Sequence, residues 1–245
     1  VRDIAEYEAA YRADYGFERH MVRFRRRTIL RWLESQPHAR ILEVGCGLEP
    51  LFEHVRDWEH YTIVEPAATF AAHARERTPA GRSVVVRQEL LEEAASALHG
   101  QPFDCIVVSS LLHEVTDPHG LLAAVHALCG PATRVHVNVP NAASLHNRIA
   151  VHMGLIPDLF TRSALADRMQ RTNTYDATRL QATMVSAGFR VESAGSYFLK
   201  PFTHGQLEAM LKHGIIDERT LDAMYEVNAE FEGLGAEIFV NATLA

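Results

Sequence analysis

An apolar strand that runs straight into a glycine-spaced turn leaves few folds open to this chain. Ile41-Leu42-Glu43-Val44 ends at Gly45-Cys46-Gly47, and after Leu48-Glu49-Pro50 an amphipathic run begins at Leu51. Gly45 and Gly47 let the backbone turn sharply and, without a Cβ, let a ligand lie against the main chain. Pro50 predicts a first helical turn there, whose amides favour polar or anionic groups. A second apolar run, Tyr61-Thr62-Ile63-Val64, closes on Glu65, an acid placed to take ribose hydroxyls. From Ala39 onward strand and helix patterns alternate, which predicts a parallel sheet with crossover helices. The expected strands are residues 39–44, 61–65, 83–86, 103–108, 134–139, 189–198 and 237–243, with helices carrying Leu51, Phe52 and Val55 after the first and Phe70, Ala71 and Ala74 after the second.

A dinucleotide site would want a third glycine, but Glu49 stands near that place, and a pyrophosphate would meet Glu43 and Glu49. With Glu43, Gly45, Gly47 and Glu65 in place, the chain resembles the class I S-adenosylmethionine (SAM) dependent methyltransferases, whose first motif reads acid-x-Gly-x-Gly-x-Gly. Glu49 departs from that motif. The resemblance implies an α/β fold, a Rossmann-like seven-stranded and mostly parallel sheet with helices on both faces. It implies SAM as methyl donor, S-adenosylhomocysteine (SAH) as product, a small-molecule acceptor and no metal. Carried onto this sequence, it places the cofactor against Tyr15, Glu43, Gly45, Cys46, Gly47, Glu65, Pro66, Leu90, Leu91 and Ser110.

Composition narrows the partners. The net charge is −7, from 24 basic and 31 acidic residues, which argues against a general binder of phosphate backbones, so long nucleic acid is not expected. Cys46, Cys105 and Cys129 are odd in number and set in apolar runs, which suits the reducing cytoplasm rather than a disulfide framework. No apolar run has the length of a membrane span, and the beginning of the chain is polar and charged rather than like a signal peptide. A monomer or a homodimer is expected.

Around the sheet lie three further segments. Residues 1–38 read as an N-terminal helical cap, with Tyr7, Tyr11 and Tyr15 at a helical spacing, either packed on the core or closing over the cofactor. The basic run Arg19, His20, Arg23, Arg25, Arg26 and Arg27 reads mostly as a solvated face. Residues 39–245 form the cofactor-binding domain, with a lid over residues 146–176 and a helical insertion over 200–235 that packs on its own chain. Lys200-Pro201-Phe202-Thr203-His204 is the polar cluster of that insertion able to face an acceptor.

Chemistry in open α/β sheets gathers beyond the carboxyl ends of the strands. His113, in Leu112-His113-Glu114-Val115 after the fourth strand, is the candidate general base, because imidazole titrates near neutral pH. A hydroxyl acceptor is favoured on that ground, from natural-product or surface-sugar chemistry by resemblance of the later half of the chain. Asn141, His146 and Arg148 after the fifth strand, and Tyr175 ahead of the helix that stops at Gly188, are the candidate acceptor contacts. An N- or C-methyltransferase, a tRNA or protein methyltransferase, and a SAM-binding protein without turnover share the same cofactor residues. Despite 14 histidines there is no H-E-x-x-H and no C-x-x-C, and neither a G-x-S-x-G elbow nor a phosphate-binding G-x-x-x-x-G-K-[ST] loop.

Overall fold

The computed structural model describes residues 4, 6, 15–162 and 171–245. Its strands are β1 Arg40–Val44, β2 His60–Val64, β3 Ser83–Arg87, β4 Cys105–Ser109, β5 Arg134–Pro140, β6 Phe189–Tyr197 and β7 Glu237–Leu244. They form one sheet in the order β3-β2-β1-β4-β5-β7-β6. β1 to β5 run parallel, and β7 lies antiparallel between β5 and β6. Central strands must be apolar on both faces, and Ile106, Val107 and Val108 of β4 are fully buried. β1 sits between β2 and β4, so the strand order reverses there and a crevice opens beyond its carboxyl end.

The helices are α1 Tyr15–Leu33, α2 Ala68–Glu76, α3 Leu91–Leu98, α4 Pro118–Leu128, α5 Leu145–His152, α6 Ala177–Ser186, α7 His204–Lys212 and α8 Glu218–Glu226. Their ends follow local chemistry. Asp117 caps α4 by accepting the Gly120 amide at 2.9 Å, with Pro118 in the first turn. Asp176 caps α6 through the Arg179 amide at 2.8 Å, and Gly188 leaves that helix at φ 87°.

Two expectations are corrected. The helix expected after Pro50 is a single 3-10 turn, Leu51–Glu53. Its chain must reach β2, where the Glu59 and His60 amides bind the Ala39 carbonyl at 2.7 and 3.0 Å, and Leu51, Phe52, Val55 and Trp58 are all buried on the way. Tertiary packing overrides the helical pattern. The basic run is not a solvated face either: Arg23 pairs with Glu218 at 2.9 Å, Arg26 with Glu49 at 2.6 Å, Arg31 and Arg27 with Glu226, and Arg25 is buried. It is the seam between α1 and its neighbours.

The core has three parts. One lies on the sheet face covered by α3, α4 and α6, around Leu91, Leu122 and Met184. Another fills the opposite face, around Leu33, Phe52, Tyr61 and Phe70. The third joins α1 to the late insertion, with Phe24 stacked between Phe198 (ring centroids 4.4 Å apart) and Tyr225 (5.1 Å). Cap and insertion therefore form a shared layer over one end of the sheet. Tyr7 and Tyr11 lie outside the described residues, as do 163–170 of the expected lid, and Tyr15 opens α1 with its side chain outside them as well.

Candidate active site

The glycine turn is built as its residue types require. Gly45 and Gly47 stand at φ 76° and 57°, where other L-residues lose about 1–2 kcal/mol. A Cβ on Gly45 would meet Leu111 Cδ2 only at 3.5 Å, so backbone conformation, not crowding, demands glycine there. Two carboxylates take the turn's amides. Glu65 Oε2 accepts from the Cys46 and Gly47 N–H groups at 3.0 and 3.2 Å, and its Oε1 from the Ala67 N–H at 2.9 Å. Both oxygens of Glu43 accept from the Leu51 N–H, at 3.2 and 3.1 Å, and Tyr61 donates its hydroxyl to Oε2 at 2.9 Å. Burial pushes the Glu43 carboxyl up to about 8 against the opposing pull of those hydrogen bonds. A pyrophosphate would find the donors it needs already answered by the chain's own acids.

Beyond the turn opens a cavity of about 290 Å³. Glu43, Gly45, Cys46, Gly47, Glu65, Pro66, Leu90, Leu91 and Ser110 all line it. Its wall carries seven acidic side chains, among them Glu18, Glu49 and Glu114, against the three guanidinium groups of Arg25, Arg26 and Arg171. SAM carries a sulfonium and an ammonium against one carboxylate, so its net positive charge suits this wall, and its ribose diol suits a carboxylate at the end of β2. The residues present fit that cofactor.

Ser110 marks the far wall, held at φ 53° in a region few side chains adopt. Its N–H donates to the carbonyl and to Oδ1 of Asn138, at 2.9 and 3.0 Å. Behind Asn138 stands the buried His136, 3.1 Å from its Nδ2, and then Asn241, 2.7 Å from the imidazole Nδ1. Burial lowers His136 to about 4, so the chain stays neutral and fixed. These groups over-determine the strained backbone at Ser110.

The turn after β4 decides which of its residues face the cavity. The Leu111 carbonyl accepts the Glu114 and Val115 amides at 2.8 and 3.3 Å, so Leu111 and Glu114 share the cavity side. Leu112 and His113 point behind them and are buried. His113 therefore stands off the wall, with Nε2 at 3.5 Å from Glu114 Oε1, while its carbonyl receives the Thr172 and Asn173 amides. Arg171 faces Glu114 across the mouth at 3.6 Å.

Across the cavity α1 presents Glu18, Val22, Arg25 and Ile29 on one stripe. Arg25 is clamped by Glu237 at the start of β7, its Nε donating at 3.0 Å and its Nη2 closer still, and Tyr197 donates its hydroxyl to the same carboxylate. The Arg25 Nη2 also donates to Glu18 Oε1 at 3.1 Å, holding that carboxylate on the wall. Burial raises the Glu18 carboxyl above its ordinary value, with Arg25 pulling the other way.

The expected acceptor contacts stand elsewhere. Asn141 donates through Nδ2 to the Gly233 and Gly235 carbonyls at 2.9 and 2.8 Å and accepts the Ala143 amide, tying the β5 end to the insertion. Arg148 Nε donates to the Ala143 carbonyl at 2.8 Å, and Tyr175 is buried beside Asn141 in an isolated bridge. His146 lies between Ser144 Oγ at 3.0 Å and the Lys200 Nζ at 3.3 Å. Burial lowers His146 to about 3 and Lys200 to about 7. None of the four lines the cavity.

Glu18, Arg25, Glu114 and Arg171 line the wall without being among the candidate site residues that the sequence offers. For Glu18 a signal existed: an acid inside the otherwise apolar stripe of Phe17, Met21, Val22 and Ile29. Among the described residues no group of three or more His, Cys, Asp or Glu is arranged to hold a metal, and no helix is long and apolar enough to cross a membrane.

The methyltransferase domain family matches residues 17–194. No curated protein matches the sequence. Among solved structures, the fold is similar to a SAM-dependent methyltransferase from Thermotoga maritima described as a possible histamine N-methyltransferase, with a TM-score of 0.61, 18% identity, and coverage of 97% of this chain and 99% of that one. It is also similar to the plantazolicin methyltransferase in complex with SAH, at a TM-score of 0.59, 11% identity, and coverage of 98% and 90%. A third is the magnesium protoporphyrin IX methyltransferase from Synechocystis with bound SAH, at 0.55, 11%, and coverage of 90% and 81%.

Proposed function

Since this chain belongs to the class I SAM-dependent methyltransferases, we propose that it methylates an oxygen of a small molecule, a natural-product or sugar intermediate, enclosed between α1 and the turn after β4. The observation that carries this reading is the Glu114–His113 pair at the acceptor end of the cavity, a carboxylate on the wall backed by an imidazole at 3.5 Å. Bound SAM supplies a methyl carbon on a sulfonium; the acceptor lone pair forms the new bond in line, and the electron pair of the broken S–C bond stays on sulfur as the thioether of SAH. The chain's own work is to orient, exclude water and take the acceptor's proton. Glu65 and the Gly45–Gly47 turn orient the nucleoside end, Leu90 and Leu91 its base, and Ser110 the far wall. The hydroxyl proton passes to Glu114 and is held with His113 behind it, which is how an imidazole off the wall serves as the base. Cap and insertion pack on each other through Phe24, Phe198 and Tyr225, and the cap's Glu18, Val22, Arg25 and Ile29 cover one side of the cavity.

A second reading, methyl transfer to an amine, is favoured by the acidic excess of the wall, which suits a cationic acceptor. Three free cysteines, Cys46 and Cys105 buried and Cys129 partly so, are in keeping with the cytoplasmic placement proposed here. The test is label transfer from methyl-labelled SAM to a panel of hydroxylated and amine-bearing small molecules, with product identified by mass. Methyl on oxygen, at a rate lowered at least 10-fold in Glu114→Gln and lowered also in His113→Ala, supports the oxygen reading; methyl on nitrogen or carbon alone overturns it.

A further inference from the structure

Glu49 stands where the family's first motif has its third glycine, and the structure gives it a partner. Arg26 of α1 donates through Nη1 to Glu49 Oε2 at 2.6 Å, and both side chains line the cavity. Glu49 lies in the chain between two anchored amides, that of Gly47 on Glu65 and that of Leu51 on Glu43. The ion pair is therefore fastened to the glycine turn itself, on the side facing α1. The side chains keep 21% and 34% of their exposure, so the pair meets water and opens without stranding a buried charge.

The nucleoside end of the cavity is marked by Glu65, Leu90 and Leu91. A donor lying with its ribose at Glu65 carries its amino-acid tail past the glycine turn toward α1. That tail is a zwitterion, an α-carboxylate and an α-ammonium on one carbon. Of the three guanidinium groups on the wall, Arg25 is committed to Glu237 and Glu18, and Arg171 faces Glu114 at the acceptor end. Arg26 is the one joined to the turn.

We propose that the Arg26–Glu49 pair is the receptor for the amino-acid end of the donor, Arg26 taking the α-carboxylate and Glu49 the α-ammonium. One ion pair is exchanged for two, each charge-assisted, and the acid in place of glycine gains a purpose. The inference rests on the SAM reading of the cavity, and it concerns binding alone.

Calorimetric titration with SAH and with 5′-methylthioadenosine, which has the same nucleoside and sulfur but no amino acid, separates the two ends. The wild-type chain binds SAH more tightly. Arg26→Ala and the shape-conserving Glu49→Gln each weaken SAH about 10-fold or more, the worth of a charge-assisted hydrogen bond, and leave 5′-methylthioadenosine within about twofold. Retained nucleoside binding also shows that the variants are folded. Unchanged SAH affinity in both variants, or an equal loss for both ligands, overturns the proposal. If the wild-type chain binds neither ligand, the SAM reading itself fails, and this inference with it.

Discussion

Glu43 makes the stability of this protein fall with rising pH in a way that a single substitution removes. Its carboxyl is buried between the Tyr61 hydroxyl and the Leu51 amide, and desolvation holds it at about 8 against an ordinary value of 4.5. Between those values the unfolded chain has released a proton that the folded chain keeps. The stability Glu43 contributes is therefore fully present below the unfolded value and is lost as pH rises through the folded one. The slope is up to about 1.4 kcal/mol per pH unit, and across the window the total is several kcal/mol, on the order of 5. Glu43→Gln keeps an acceptor for Tyr61 and Leu51 but no proton to lose. Urea unfolding at steps between about pH 5 and 8, on wild type and variant, gives the two curves of free energy against pH. The variant's curve is flatter, and the two converge or cross toward the alkaline end. Parallel curves, whatever their offset, would refute the assignment of a neutral buried acid at this position.

Other consequences follow from the same geometry. Glu237→Ala strands the buried Arg25 and the Tyr197 hydroxyl, with only Glu18 left to answer the guanidinium; a loss of about 3 kcal/mol, read by thermal unfolding as a drop of roughly 6–12 °C, is expected, and a change under about 1 kcal/mol would contradict the clamp. Phe24→Ala empties the stack between Phe198 and Tyr225 at a fully buried position; it costs about 3–5 kcal/mol of stability by denaturant titration and loosens the joint between cap and insertion, which proteolysis of the folded protein detects as faster cleavage there. Gly45→Ala meets ordinary space but an unfavourable φ, so it lowers stability by about 1–2 kcal/mol and weakens SAH binding together, and a variant as stable as wild type would deny the strained turn.

Much of the framework is legible in the sequence, and the reason is local. Each strand lies within two residues of its expected place because the apolar runs are short, β-branched and bounded by turns or caps. The late insertion reads as helical over 200–235, and the structure opens its first helix with a Thr203 capping box, in which the threonine hydroxyl accepts the Gln206 amide at 3.3 Å and the glutamine answers the Thr203 amide at 2.9 Å. The site is less legible where long-range contacts decide. Arg25 reads as one cation in a basic run, yet its fate is set by Glu237, 212 residues away. Arg26 and Glu49 meet only because α1 folds across the glycine turn. At His113 the residue type drew attention, but the phase of one turn put Glu114 on the wall instead. Asn141 beyond the end of β5 gives its amide to the Gly233 and Gly235 carbonyls of the insertion, and Tyr175 packs into the core on the sheet, so neither lines the cavity.

The central claim is that the cavity beyond β1 receives a cationic nucleoside oriented by Glu65, and one titration tests it. The purified protein is titrated calorimetrically with SAM, SAH and NAD, beside Glu65→Ala. Micromolar binding of SAM and SAH, lost or weakened at least 10-fold in the variant, with no heat from NAD, is the predicted result. Binding of NAD in their place, or SAH binding indifferent to Glu65, would contradict it.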